Sequence, residues 1–320
     1  MGISRRFVDL HMHSTASDGT TPPEKLIEVA RAETALALSE GWISEEPQEY
    51  IMALTDHDTL AGIPALEKAA RLFENVRIIP GVEISSDYQG HEIHILGYNV
   101  DSENSDLQSG LEYYRGERQR RNRRILGKFR DMGISIPEEE LSTRENEAVG
   151  RPHIARWLVR HRYAKSIRDA FDRFLNPGEP CYVNREKAPA KECIQLIRNA
   201  GGIPVLAHPV RYRFLNHTEL EKMIRRFTED GLQGVETYYT ENRPADTRYL
   251  EALSEKYRLI RTGGSDYHGK NKPNHHMGYG HGNLGETMDW IQVEKILTAP
   301  PFASSAPDAS CTEPAPSWVR

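Results

Sequence analysis

Six short segments of this chain set a histidine or a carboxylate in or just past an apolar run: DLHMHSTASDG, LTDHDT, GVEIS, HEIHILGY, LAHP and GGSDYH. A short apolar run bounded by turn residues reads as a buried strand. Burying an unpaired charge at its end is costly. The pattern therefore demands a fold in which several strand ends converge on one polar centre. The apolar runs alternate with helical patterns, which is the βαβ signature. A parallel barrel meets the demand, because its βα loops gather at the carboxyl ends of its strands.

We read strands at FVDLHMH, YIMALTDH, VRIIPGVEIS, EIHILGYNV, IPVLAHP, GVETYY and LIRTGGSD, about seven in all. Helices are expected over Pro22–Ala32, Gly62–Phe73, Ala190–Ala200, Glu219–Asp230 and Pro244–Tyr257. Pro22 and Pro244 suit a first helical turn, where the missing N–H is not needed. The expected organisation is an α/β barrel from residues 1–100 and 181–298. Residues 101–180 show no strand pattern and read as a helical insertion over the barrel mouth. Residues 299–320, rich in Pro, Ser and Ala, read as a disordered tail. Glu33–Gln48 is an acidic stretch between the first helix and the second strand, expected to lie on the face opposite the site.

The candidate ligands are His11, His13, Asp18, Asp56, His57, Glu83, His94, His208, Asp266 and His268. Imidazole and carboxylate together suit Mn²⁺, Fe²⁺ or Zn²⁺. The set is larger than one four-coordinate ion needs, so it points to two or three divalent ions, and such clusters do hydrolytic phosphorus chemistry. His11 and His13 are two apart on a strand and share a face. Asp18 on its own would be the turn residue of Ser17-Asp18-Gly19; beside HMH it joins the metal set. Of the TDHD segment, His57 is the expected ligand, one Asp is a candidate to orient its imidazole, and Asp58 is expected to cap the next helix. Glu83 is expected to bridge two ions. His94 alone would be a core histidine; the cluster makes it a ligand. His91 reads as a surface residue; His275, His276 and His281 sit in a Gly/Asn loop, where a functional role and adventitious metal binding both stay open.

At 320 residues with 38% hydrophobic and 28% charged content, the chain reads as an ordinary enzyme large enough for a full core. The formal net charge of −6 excludes a generic nucleic-acid coat, and bound divalent ions would offset it at the site. No RRM, KH or zinc-knuckle pattern marks a dedicated nucleic-acid module. Yet the segment holding Arg115, Arg118, Arg120, Arg121, Arg123, Arg124, Lys128 and Arg130 is strongly basic, a local field that can steer a phosphorylated substrate. Arg151 and His153 in GRPHIAR, with Arg185 and Arg211, are the expected substrate contacts. Three cysteines without CxxC spacing argue against a disulfide framework. The first residues carry no signal-peptide pattern and no apolar stretch spans a membrane, so the expected location is the cytoplasm.

HMHSTASDG, TDHDT, PGVEIS, HEIHILGY, LAHP and GGSDYHG, in this order, resemble the PHP (polymerase and histidinol phosphatase) family. GRPHIARWL and NPGEPCYVNRE resemble one branch of it, the nucleoside 3′,5′-bisphosphate phosphatases and 5′–3′ oligoribonucleases. The resemblance implies a distorted seven-stranded (βα)7 barrel and a trinuclear site. It implies His11, His13, Glu83 and Asp266 on one ion, Glu83 bridging to a second with His94 and His208, and Asp18, His57 and His268 on a third. It also implies a metal-dependent phosphoesterase acting on small phosphorylated nucleotides or short RNA through a metal-bridged hydroxide, with Arg151 and His153 on a second phosphate. Two alternatives stay open: a histidinol-phosphate phosphatase, against which GRPH argues, and a non-catalytic metal-binding regulatory module, against which the intact ligand set argues.

Overall fold

A computed structural model describes residues 6–141, 149–183, 187–284 and 290–298. The chain forms two compact units. One comprises the described residues up to Leu111 together with those from Ala188 on; the other is made of the described residues from Glu112 to Lys187.

The first unit is built on β1 (Arg6–Met12), β2 (Glu49–Leu54), β3 (Val76–Tyr88) and β4 (His91–Tyr98). The interleaved helices are α1 (Leu26–Ser39) and α2 (Ile63–Ala70), and α3 (Ser105–Asp131) starts in this unit. In the second unit α3 continues, followed by α4 (Arg151–Arg160) and α5 (Ile167–Ala170), the last running into a π-helical turn, Phe171–Leu175. The chain then returns with a two-residue strand β5 (Ala188–Pro189), α6 (Ala190–Asn199), β6 (Ile203–Leu206) and α7 (His217–Glu229). It closes with β7 (Gly234–Tyr239), α8 (Pro244–Tyr257), β8 (Ile260–Gly264) and α9 (Trp290–Leu297).

The strand order is β1-β2-β3-β4-β6-β7-β8, with β5 beside β3. β8 returns to β1: the Asp266 N–H donates to the His11 carbonyl at 2.8 Å and the His13 N–H to the Tyr267 carbonyl at 2.9 Å. This is the expected α/β barrel of seven main strands, nearly closed. Side chains alternate across the first strands as period-two geometry requires. Phe7, Tyr50, Met52 and Leu54 pack outward on Leu26, Ile27, Ile63 and Leu66 of α1 and α2. Val8, Leu10, Ile51 and Ala53 join Ile79, Leu96, Val205 and Ala207 in a second core. The second unit has its own apolar core around Phe129, Ile154, Trp157, Leu158 and Leu175.

Three details differ from the sequence expectation. The barrel is not wholly parallel, since β4 runs antiparallel to both β3 and β6. The cause is local: Gln89 and Gly90 both have positive φ, 53° and 82°, the geometry of a two-residue hairpin turn. Consequently Glu83 and His94 reach the centre from inside strands, not from loops past their ends. Second, α1 runs to Ser39, so half of Glu33–Gln48 is helix. Glu33 pairs with His276 at 2.8 Å, and Trp42 packs its ring on the same histidine, so the stretch anchors the loop after β8. Third, α2 has no side-chain cap; Asp58 instead accepts from the Ser85 N–H at 2.8 Å and its hydroxyl at 3.1 Å, tying the loop after β2 to β3. The tail 299–320 and Arg185 lie outside the described residues. Among the described residues, no helix is long and apolar enough to cross a membrane.

Candidate metal centre

Glu83 is the hub. Its side chain is 1% exposed, and its two oxygens face different imidazoles. Oε1 lies 2.8 Å from His94 Nδ1 and 3.0 Å from His208 Nε2, and those two nitrogens are themselves 3.3 Å apart. Oε2 lies 3.1 Å from His13 Nε2, 3.1 Å from His57 Nδ1 and 3.3 Å from His11 Nε2. His57 is held there because its loop runs alongside β3: the Asp58 N–H donates to the Glu83 carbonyl and the Glu83 N–H to the Asp56 carbonyl.

Three imidazole nitrogens crowding one carboxylate oxygen make poor hydrogen bonds. His11 Nε2, His13 Nε2 and His57 Nδ1 are buried without a hydrogen-bond partner, and so is His208 Nδ1. Buried polar atoms are nearly always satisfied. Nitrogen lone pairs aimed at a shared carboxylate and left unpaired fit a cation among them. The donor set of imidazole and carboxylate is that of a borderline divalent ion.

A second face of the cluster is built around Asp18, which is about one-third exposed. His268 Nε2 lies 3.2 Å from Asp18 Oδ1, His13 Nδ1 3.7 Å from the same oxygen, and His57 Nε2 3.9 Å from Oδ2. Asp266 Oδ1 sits 3.6 Å from His13 Nε2, 3.7 Å from His11 Nε2 and 3.3 Å from His268 Nδ1. Three groups can each offer ligand atoms within 4.8 Å of one another: His13, Asp18, His57 and His268; His11, His13 and Glu83; and His57, Glu83 and His94. His13 and His57 recur between groups, so the histidines form one contiguous cluster. Two of the contributors sit on left-handed backbone, His208 at φ 28° and Asp266 at φ 54°. Such strain in non-glycine residues collects at functional sites.

The outer layer contains residues that sequence reasoning missed. Glu236, fully buried on β7, accepts from His11 Nδ1 at 2.9 Å and from the His208 N–H at 2.7 Å. A carboxylate partner makes Nδ1 the donor, so Nε2 of His11 presents its lone pair inward. His268 is fixed in the same way by the Asp266 carbonyl, 2.9 Å from its Nδ1. Asp9 accepts from the Ser265 hydroxyl and N–H and from the Gly278 N–H, joining β1 to the loop after β8. Asp56 does not orient an imidazole; it accepts from the Ser14 N–H and hydroxyl and from the Ser17 hydroxyl, bracing the loop that carries Asp18. Asp266 Oδ2 receives Lys272 Nζ at 2.5 Å, the Tyr239 hydroxyl at 2.9 Å and Arg211 Nη1 at 3.4 Å. The acid in GVETYY, inside a fully buried strand, was the one available signal for Glu236.

Charge states follow from this packing. Burial opposes ionisation of Glu83, yet His94, His57 and His11 hold its carboxyl well below the usual range. Burial also works against Asp266, and Lys272, His268 and His11 hold it well below. Asp18 is likewise low, against burial, through His268 and His57. Burial pushes His57 and His208 down to about 3, so both are neutral and able to ligate. His94 is the opposite case: burial would lower it, but Glu83 and Glu92 raise it to about 9. His11 is also raised, against burial, by Glu236, Glu83 and Asp266.

The residues singled out for substrate are less uniform. Arg211 follows His208 and reaches Asp266 directly. Arg151 lies in the second unit, its guanidinium near the Phe171 and Tyr182 rings and bonded to the Leu175 carbonyl at 3.4 Å. His153 is buried and its Nδ1 accepts from the Gly150 N–H at 3.0 Å, so it caps the start of α4. His275 donates to the Ser265 carbonyl, a structural role.

No protein-family model matches the chain. The 5′–3′ exoribonuclease Rnm of Escherichia coli is 34% identical over 267 residues, covering 81% of this chain and 84% of that protein. A 3′,5′-nucleoside bisphosphate phosphatase of Chromobacterium violaceum is 30% identical over 303 residues, covering 92% and 98%. Among solved structures, a Bifidobacterium adolescentis protein described provisionally as a metal-dependent phosphoesterase superposes with a TM-score of 0.70 at 28% identity, covering 92% of this chain and 96% of that one.

Proposed function

The chain belongs to the PHP family of metal-dependent phosphoesterases, in the branch of the bisphosphate phosphatases and 5′–3′ exoribonucleases, and on that premise we propose that it hydrolyses the 3′-phosphate ester of nucleotides that also carry a 5′-phosphate. Nucleoside 3′,5′-bisphosphates and short 5′-phosphorylated RNA both fit that description. The observation that carries the reading is Glu83: Oε1 faces His94 and His208, and Oε2 faces His11, His13 and His57 through three nitrogens that are buried without a hydrogen-bond partner. A bridging carboxylate between two cations has this geometry.

His11, His13, Glu83 and Asp266 would hold one ion, Glu83 with His94 and His208 a second, and Asp18, His57 and His268 a third. Divalent ions bound there polarise phosphoryl oxygens and activate water near neutral pH. Mn²⁺, Fe²⁺ and Zn²⁺ all suit the donors. The protein's own part is positional. Glu236 and the Asp266 carbonyl fix imidazole tautomers, and Lys272 and Tyr239 fix the Asp266 carboxylate. Arg211, bonded to the same carboxylate oxygen, supplies a fixed positive charge beside it. Arg151 and His153 are assigned the 5′-phosphate on the resemblance of the GRPH segment.

The test compares turnover of a nucleoside 3′,5′-bisphosphate, histidinol phosphate and a generic aryl phosphate, before and after chelation and with Arg151→Ala. Chelation should abolish all turnover. Arg151→Ala removes a charge-assisted phosphate contact worth ~1.5–3 kcal/mol, so kcat/KM for the bisphosphate should fall by roughly one to two orders of magnitude. Aryl phosphate turnover and metal content should hold. Equal loss on both substrates would place Arg151 at the reacting group or in the fold; preference for histidinol phosphate would overturn the substrate class.

A further inference from the structure

A cavity of about 930 Å³ opens in the barrel unit between the loop after β6 and the start of α8, lined by Arg211, Arg213, Glu241, Arg243 and Asp246 among others. Arg211 connects it to the metal centre, since the same guanidinium that lines the cavity bonds Asp266 Oδ2 and the Tyr239 hydroxyl. Three guanidiniums meet two carboxylates there. Arg211 Nε is 3.7 Å from Glu241, and Glu241 is shared with His275 at 3.7 Å. Arg243 Nε is 3.8 Å from Asp246, a long pair on a side chain that is 87% exposed. Among the described residues, the Arg213 guanidinium has no partner. The lining is therefore net positive and only loosely neutralised. Its volume is near the upper end of the ~300–1,000 Å³ that holds a drug-sized ligand, far more than a lone phosphate needs.

The proposed reaction leaves one position unaccounted for. Water attacks phosphorus, the P–O3′ bond breaks, and O3′ leaves with a proton. In a bisphosphate the scissile phosphoryl group carries nothing else. In 5′-phosphorylated RNA it also carries the O5′ of the next nucleotide, and the product is a 5′-nucleotide plus a shortened chain with a new 5′-phosphate. The two substrates differ only in what lies beyond the scissile phosphate.

We propose that the Arg211–Arg213–Arg243 cavity receives the nucleotide on the 3′ side of the scissile phosphate, and that Arg213 and Arg243 set how well the centre accepts an oligoribonucleotide relative to a monoester. This rests on the phosphoesterase reading above. Arg213 and Arg243 contact the next internucleotide phosphate, and the monoester substrate makes no use of them.

The test uses the full chain, metal-loaded, as wild type and as the double variant Arg213→Ala/Arg243→Ala. The substrates are an aryl phosphate, adenosine 3′,5′-bisphosphate and a 5′-phosphorylated trinucleotide. Loss of both contacts to that one phosphate should lower kcat/KM for the trinucleotide by about 10- to 100-fold, chiefly through KM, and flatten its salt dependence by roughly 0.7 in the log–log slope. Aryl phosphate and bisphosphate turnover should stay at wild-type rates. An unchanged trinucleotide rate, or an equal loss on all three substrates, would overturn the proposal alone. Wild-type protein that hydrolyses no phosphate ester would overturn the underlying reading, and the proposal with it.

Discussion

Replacing Glu236 with glutamine isolates the contribution of a residue that is assigned no direct contact with an ion. The carboxylate accepts two hydrogen bonds in a fully buried setting, from His11 Nδ1 at 2.9 Å and from the His208 N–H at 2.7 Å. A carboxamide has one acceptor oxygen. The backbone N–H cannot change its role, so the glutamine oxygen must turn to His208 and its NH₂ group to His11. Two outcomes remain. If His11 keeps its proton on Nδ1, two donors face each other in a dry site, at a cost of ~1–3 kcal/mol. If the tautomer flips, Nε2 carries the proton, 3.3 Å from Glu83 Oε2, and its lone pair is lost to the metal. Either way metal affinity should weaken by roughly 10- to 100-fold, the range for loss of an outer partner of a ligating histidine. Calorimetric titration of the chelated protein with Mn²⁺ or Zn²⁺, in competition with a chelator of known affinity, measures this. Circular dichroism of the variant should remain that of the folded protein. An unchanged Kd with unchanged stoichiometry would refute the argument that Glu236 sets the His11 tautomer.

Glu83→Gln should lose at least one metal equivalent and nearly all turnover with the fold retained, by metal analysis and steady-state kinetics; full activity with full metal content would sink the bridging role. Gly264→Ala would place a Cβ 2.5 Å from both the backbone nitrogen and Cβ of His11. Strand β8 would have to move from β1, so denaturant unfolding should show a loss of ~1–3 kcal/mol or more together with weaker metal binding. The metal-free protein should be most stable near pH 6.5. The unfavourable protonation of His57 and His208, held to about 3, removes stability as pH falls below their ordinary value. His94, raised to about 9, contributes stability below 6.5 that is lost as pH rises through 9. Metal displaces that His94 proton, so the gain in Tm on adding Mn²⁺ should grow from pH 6.5 to 9.

What the chain's order of residues determined by itself was the barrel and the kind of centre it carries. Strand patterns are local, and the seven main strands lie where apolar runs such as FVDLHM and IPVL place them. Histidines and acids in or beside those runs have few explanations other than ions, so residues as far apart as His11 and His268 were legible as one set. Tertiary structure decided the partners. Asp58 reads as a helix cap because the next helix is its nearest neighbour in sequence, yet its oxygens bond Ser85, 27 residues on. Glu236 reaches His11 across 225 positions, and Asp9 reaches Gly278 across 269. No local pattern encodes such pairings, because they exist only once the barrel brings β7, β8 and β1 together. The reversal of β4 belongs to the same class. A two-residue turn at Gln89-Gly90 selects it, and with it the approach of His94 to Glu83 from mid-strand, where a parallel connection would have needed a crossover.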